Sequence, residues 1–127
     1  MLGCWEEFED GPTISRESRM HVTLSPRSVI HLNGNVYEKL GKPNFVRLFF
    51  DRLNSRIGIL PARGAIPHAF PVKVKGKGRH RIIWAAPFCK CYGIHFDRIR
   101  TFVDPEIDNE GNLRLDLLKT AAVGRRK

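Results

Sequence analysis

Five basic residues alternate with apolar residues, glycine or histidine in one short stretch of the sequence, VKVKGKGRHRII at positions 72–83. They are Lys73, Lys75, Lys77, Arg79 and Arg81. Because successive side chains of a β-strand point to opposite faces, an extended chain would carry all five cations on one face. Like charges placed in this way repel one another unless an anion neutralises them. The alternation therefore indicates an anion-binding surface.

The positive charge of the chain is concentrated around that stretch. The 127 residues include 22 basic and 13 acidic ones, which gives a formal net charge of +9. Residues 63–81 hold six of the basic residues and no acidic residue, so the rest of the chain has an excess of only +3. A local excess favours a specific anionic partner, and nucleic acid fits best. An acidic protein partner, a solvated strand face and a small anionic ligand remain as alternatives.

Other residue patterns give little support to catalysis or to a metal site. The sequence contains no phosphate-binding loop and no nucleophile elbow, and its histidines have no recognisable triad partners. Cys89, Cys91 and His95 have side chains suited to zinc, but two helical positions two residues apart point about 200° away from each other. We therefore predict no enzymatic activity, no metal and no cofactor, with Cys89 in the core.

Cysteine content and hydropathy predict the surroundings of the chain. Three cysteines do not make a disulfide framework, and no apolar run approaches the length of a membrane span. No signal-peptide pattern follows Met1. We predict a reduced, cytoplasmic protein that does not associate with membranes.

The local patterns predict a mostly β protein. HVTL and VIHL flank the turn SPRS and predict a hairpin. Asn33 or Asn35 can cap a helix predicted at Asn35–Leu40, which Gly41 ends and Pro43 prevents from continuing. FVRLFFD and RIGIL predict a second hairpin around RLNS. Residues 20–60 thus form a β-β-α-β-β unit.

The same order of elements returns after a connection at residues 61–71. FPVKV and RHRIIW flank a glycine-rich turn, APFCKCYG predicts a helix at Pro87–Tyr92, and IRTFVD and LRLDL flank NEGN. We therefore predict an internal repeat whose second unit covers residues 72–118. A shift of 52 positions aligns Val74 with Val22, Arg79 with Arg27, Ile82 with Ile30 and Gly93 with Gly41.

The first unit resembles the SpoVT/AbrB swapped-hairpin family of bacterial transition-state regulators and antitoxins. The matching parts are a turn with an apolar strand at 27–32, a helix ending in Leu-Gly at 35–41, a strand ending in an acidic residue at 46–51, and a last strand at 56–60. The proline that the family places after the first strand is replaced by Asn33, and by Ala85 in the second unit. The resemblance implies a small swapped-hairpin barrel, closed by two units of one chain, with two short helices.

Members of that family bind DNA through basic residues around the first hairpin and the start of the helix. The resemblance therefore implies a DNA-binding regulator or antitoxin-like module that contacts phosphate through a basic hairpin, as a monomer or a homodimer. A protein-interaction module and a small-ligand-binding barrel are the alternatives. The predicted nucleic-acid-binding residues are Arg19, Arg27, Lys73, Lys75, Lys77, Arg79 and Arg81.

The remaining predictions concern the termini and the core. Residues 1–19 form an acidic arm in which Trp5 and Phe8 indicate either a partly ordered terminus or a segment that docks on a protein partner. Residues 20–127 form one barrel domain with a basic tail at 119–127. The predicted core residues are Val29, Ile30, Leu32, Val36, Leu40, Val46, Leu48, Ile82, Trp84, Phe88, Ile99, Phe102 and Leu115.

Overall fold

The computed structural model describes residues 19–64, 66–76 and 78–122. This part of the chain is mostly β-structure, as the sequence predicts, with two short helices. Residues 1–18 of the predicted arm, Lys77 and residues 123–127 of the predicted tail lie outside the described residues. The elements are β1 (Val22–Leu24), β2 (Val29–Leu32), α1 (Gly34–Lys39), β3 (Phe45–Asp51), β4 (Arg56–Ala62), β5 (Ala69–Pro71), β6 (Lys73–Val74), β7 (Arg81–Trp84), α2 (Ala86–Tyr92), β8 (Arg100–Phe102), β9 (Glu106–Ile107), β10 (Leu113–Asp116) and β11 (Thr120–Ala122).

The described strands form two antiparallel sheets and not the closed barrel that the sequence predicts. The first sheet has the order β11-β8-β1-β2-β7-β6, and the second has the order β5-β3-β4-β10-β9. The sheets separate where the chain changes partners: β5 pairs with β3, whereas β6, which begins after Val72, pairs with β7. Pro105, which has no amide hydrogen, lies between β8 of the first sheet and β9 of the second.

Side-chain hydrogen bonds stabilise the two hairpin turns of the first half, where the sequence predicts them. Between β1 and β2, the Ser25 hydroxyl accepts hydrogen bonds from the amides of Arg27 and Val29, both at 3.2 Å. Between β3 and β4, one carboxylate oxygen of Asp51 accepts hydrogen bonds from two amides of the following turn, at 3.1 and 3.2 Å. Serine and aspartate favour turns because they satisfy backbone donors that a chain reversal leaves unpaired.

Both helices lie close to their predicted positions. Helix α1 begins and ends one residue earlier than predicted because Asn33 is its N-cap and accepts a hydrogen bond from the Val36 amide at 3.2 Å. Gly41 follows it with a φ of 90°. Helix α2 has Pro87 in its first turn and ends at Gly93, whose φ of 67° is left-handed. In the described part of the chain, no helix is long and apolar enough to cross a membrane.

The core draws buried side chains from both sheets and both helices, but β7 contributes a different face from the predicted one. Ile83 is 0% exposed and pairs with Ile30, whereas Trp84 is 53% exposed and Ile99 is 45% exposed. A shift of one position moves every side chain of a strand to the other face, so Ile83 is the inward-facing residue of β7 and the prediction of Ile82 is wrong. The predicted core residues that are buried are Ile30, Leu32, Val36, Leu40, Val46, Phe88, Phe102 and Leu115, and those that are only partly buried are Val29, Leu48 and Ile82.

Two strands lie partly or wholly outside the predicted strands. β5 joins the end of the predicted connection at residues 61–71 to the start of the predicted strand FPVKV, and it pairs with β3. β11 falls in the predicted basic tail and pairs with β8, where the Arg100 guanidinium donates to the Thr120 hydroxyl and carbonyl at 3.0 and 3.1 Å. Their sequences, AFP and TAA, have no clear alternation of apolar and polar positions by which a strand could be recognised.

Candidate nucleic-acid interface

The predicted row of five cations lies in a hairpin, with the chain reversal at the glycine-rich turn that the sequence predicts, but its members do not share one face. β6 ends at Val74, and Gly76 has a left-handed φ of 66°. The Lys75 amide donates to the His80 carbonyl at 3.2 Å, and the chain then enters β7. Lys77 lies outside the described residues. Because the register sets odd-numbered residues of β6 opposite even-numbered residues of β7, the odd-numbered cations of the two strands do not share one face.

Lys73 and Lys75 lie on one face of the β6–β7 hairpin, and Arg81 lies on the other. Directly opposite residues of an antiparallel pair share a face. Lys73 pairs with Ile82, whereas Arg81 pairs with Val74. Both lysines are exposed, so their ammonium groups can reach an anionic partner.

Arg79 and Arg81 contact helix α1. The Arg79 guanidinium donates to the Glu38 carboxylate at 2.7 Å, in an ion pair with side-chain exposures of 52% and 49%. The guanidinium carbon of Arg81 lies 4.4 Å from the ring centroid of Tyr37, within cation–π range. Gly34 permits this approach, since a Cβ there would lie 2.7 Å from the Cβ of Arg79. These two predicted phosphate ligands therefore hold the hairpin against the helix.

A groove of about 880 Å³ lies beside the hairpin, between the start of β1, the end of β2 and the start of α1. Arg19 and Arg79 line it together with His21, His31 and His80. No acidic residue occurs in its lining, as far as the described chain forms it. The groove is therefore a concave surface with an excess of positive and protonatable side chains.

The imidazoles of His31 and His80 lie against each other in this groove. Their ring centroids are 4.9 Å apart, and their planes are inclined by 34°. Burial lowers the pKa of His31 from its usual value, and the positive charges of His80, Lys75 and His21 lower this pKa further. Burial is the largest of these effects, and the neighbouring positive charges add a repulsion that a bound anion would offset.

Asn33 connects β1, β2 and α1 at the edge of the groove. Its Oδ1 accepts hydrogen bonds from the amides of His21 and Val36, both at 3.2 Å, and its Nδ2 donates to the Arg19 carbonyl at 2.7 Å. These bonds fix the backbone at Arg19 and so position that residue on the groove wall. Two positions further on, Asn35 also lines the groove, and its buried Oδ1 has no hydrogen-bond partner among the described residues.

Arg27 lies at the opposite end of the first sheet from the groove. It belongs to the β1–β2 turn, whereas the groove adjoins the start of β1 and the end of β2. The length of β2 separates the two ends by roughly 13 Å, at about 3.3 Å per residue. The structure therefore brings Arg19, Lys73, Lys75 and Arg79 to one end of the sheet and leaves Arg27 apart from them.

The histidines of the groove are absent from the predicted site. His31 stands at a polar position of an alternating strand, and the register that places Thr23 opposite His31 makes His21 its diagonal neighbour. A hairpin alignment of the sequence could have found this pair. His80 reaches His31 only through the pairing of β7 with β2, which joins segments about fifty residues apart and has no local signal.

The described cysteine, aspartate and glutamate residues do not form a second candidate site. No three His, Cys, Asp or Glu side chains of the described chain are arranged to hold a metal ion. Cys89 is 2% exposed in the core, as predicted, and burial raises the pKa of its thiol. Cys91 is exposed. The groove and the neighbouring hairpin are therefore the candidate site.

Comparisons with protein-family models, with curated protein sequences and with solved structures find no match to this chain. The resemblance to the SpoVT/AbrB family rests on the sequence patterns alone. The function is therefore inferred from the charge and geometry of the candidate site.

Proposed function

We propose that this chain is a DNA-binding regulator or antitoxin-like module that contacts DNA phosphates through the β6–β7 hairpin and the adjoining groove. The observation that carries the proposal is the basic surface at this end of the first sheet. Exposed Lys73 and Lys75 lie on the hairpin, and Arg19 lines a groove whose described lining has no acidic residue. Contacts of lysine and arginine with phosphate supply affinity and orientation without selecting a base sequence.

Arg79 supports this function even though it is already paired. Its ion pair with Glu38 is half exposed, and an exposed pair of this kind contributes only about 0–1 kcal/mol. A DNA phosphate can therefore compete with the carboxylate for the same guanidinium. Arg81 acts instead by fixing the hairpin, because its guanidinium is stacked on Tyr37.

We also propose that the two halves are copies of one unit, related by an approximate twofold axis, as the family resemblance implies. Two strand pairings between the halves support this, because β2 pairs with β7 and β4 pairs with β10, and each pair joins corresponding elements. Each half also has a hairpin followed by a helix that glycine ends, at Gly41 and Gly93. Such a chain would present one strongly basic hairpin, β6–β7, and one weakly basic hairpin, β1–β2.

The volume of the groove favours a small anionic ligand as a second candidate. About 880 Å³ falls within the usual range for small-molecule sites, roughly 300–1,000 Å³. Lys73 and Lys75 distinguish the two candidates, since both lie outside the groove lining. A duplex that crosses the hairpin needs these lysines, whereas a ligand held within the groove does not.

The double variant Lys73→Ala/Lys75→Ala tests the proposal in a binding assay with a fluorescently labelled duplex. Loss of two phosphate contacts should weaken binding roughly ten- to a hundredfold at about 0.1 M salt. Lys90→Ala/Arg98→Ala is the charge-matched control, because both residues are exposed and neither lines the groove. Equal affinities of the two double variants would contradict the proposed interface, provided that circular dichroism shows both to be folded.

A further inference from the structure

His31 and His80 form a pair of imidazoles inside a groove that already contains positive charge. Their centroids are 4.9 Å apart, and both rings line the same space as Arg19 and Arg79. Asn35 lines it as well. Imidazole, guanidinium and amide groups all donate N–H hydrogen bonds, which phosphate oxygens accept. The donors therefore converge from β2, from the β6–β7 turn, from the segment before β1 and from α1.

We propose that this groove contains a phosphate-binding subsite in which His31 and His80 donate hydrogen bonds to one phosphate group, and that binding there is accompanied by proton uptake. The subsite rests on the proposed function, because the phosphate would belong to the DNA backbone. A neutral imidazole has one N–H donor, whereas a protonated imidazole has two and carries a positive charge. Protonation thus improves both the hydrogen bonding and the electrostatic attraction to phosphate.

The surroundings of His31 keep its proton affinity low until an anion arrives. Three of its described neighbours are neutral: Thr23 and Ile82 lie directly opposite it on the adjacent strands, and Thr101 lies opposite Thr23. The other groups around it in the groove and on the hairpin are basic or protonatable. They are His21 before β1, Lys75 and His80 on the β6–β7 hairpin, and Arg19 and Arg79 in the groove lining.

Burial and these positive charges lower the pKa of His31, so the free protein holds this side chain neutral at pH 7. A phosphate in the groove would reverse the balance, because it adds a negative charge next to the imidazoles. DNA phosphodiesters stay ionised throughout the range from about pH 5.5 to pH 7.5. The proton that is taken up must therefore bind to the protein and not to the phosphate. Duplex affinity should therefore rise as the pH falls, by roughly three- to tenfold per pH unit for about one proton bound.

The first test measures duplex affinity between about pH 7.5 and pH 5.5 at constant salt. His31→Gln/His80→Gln should remove the pH dependence, since glutamine keeps N–H donors but cannot be protonated. His68→Gln/His95→Gln is the matched control, because both histidines are exposed and neither lines the groove. The control should keep the wild-type pH dependence. A pH dependence that persists unchanged in the His31 and His80 variant would overturn the proposal.

The second test uses the unmodified protein and inorganic phosphate, so it does not depend on a variant folding or on DNA binding. NMR titration of the imidazole Cε1–H signals should show that phosphate raises the titration midpoint of His31. If phosphate does not change the titration midpoint of His31 and duplex binding does not depend on pH, the subsite is refuted. The DNA-binding proposal is not affected by that result. Absence of salt-dependent duplex binding would refute DNA binding, and the phosphate titration alone would then decide the subsite.

Discussion

Replacing Ile83 by alanine should destabilise the protein much more than replacing its neighbour Ile82. Ile83 is fully buried on β7, opposite Ile30, and truncation of a buried isoleucine typically costs about 2–5 kcal/mol because a cavity remains. Ile82 is partly exposed on the other face, opposite His31. The truncation removes three carbon groups worth about 0.8 kcal/mol each when fully buried, so the partly buried side chain of Ile82 should lose about 1–2 kcal/mol.

Thermal and denaturant unfolding, followed by circular dichroism, measure this difference. A chain of this size loses roughly 3–5 °C of melting temperature per kcal/mol, so Ile83→Ala should lower the Tm by roughly 6–25 °C and Ile82→Ala by roughly 3–10 °C. If Ile82→Ala lowers the free energy of unfolding as much as Ile83→Ala or more, then Ile82 faces the core, as the sequence predicts. That result would refute the register of β7 described above.

Three further predictions concern the helices, the Asn33 cap and a turn carboxylate. Leu40→Ala and Phe88→Ala should each lower the free energy of unfolding by about 2–5 kcal/mol in denaturant titrations. These side chains are 5% and 7% exposed and attach the two helices to the core. Losses below about 1 kcal/mol in both variants would mean that the helices are not docked on the core. Asn33→Ala should lower the free energy of unfolding by about 1–3 kcal/mol and should also weaken duplex binding. The substitution removes the helix cap and the hydrogen bond that fixes the backbone at the groove wall. A variant with wild-type stability would contradict this role of Asn33. Hydrogen bonds from Asn54 lower the pKa of Asp51 from its usual 3.8. The stability that this carboxylate contributes is therefore present above that value and is lost as the pH falls through the lowered pKa. The Tm of the Asp51→Asn variant should decrease less than that of the wild type between about pH 5 and pH 2, and an equal decrease would disprove the linkage.

The elements that the sequence predicts correctly are those with local signals. The β1–β2 and β3–β4 hairpins follow from alternating apolar residues on either side of turns that Ser25 and Asp51 stabilise through their own side chains. The ends of both helices follow from glycines in left-handed conformations, at Gly41 and Gly93. Each of these signals acts within a few residues, so it can be recognised without knowledge of the tertiary structure.

The features that the sequence predicts incorrectly depend on long-range pairing. RIIW contains three apolar residues in a row, so its periodicity does not specify whether Ile82 or Ile83 faces the core. The pairing of β7 with β2 decides this, and it also brings His80 against His31. The glycine-rich turn between FPVKV and RHRIIW is predicted correctly, but the shared face of the five cations is not, because the register of β6 with β7 places Lys73 and Arg81 on opposite faces. The candidate groove, which several such segments build together, has no signature in any one of them.

The dependence of duplex affinity on salt concentration tests the DNA-binding proposal most directly. Each phosphate contact contributes about 0.9 to the slope of log affinity against log salt. The wild-type affinity should fall steeply with salt, and Lys73→Ala/Lys75→Ala should flatten the slope by roughly 1.8, whereas Lys90→Ala/Arg98→Ala should leave it unchanged. A wild-type affinity that does not depend on salt, or a folded Lys73 and Lys75 variant that keeps the full slope, would contradict the proposal.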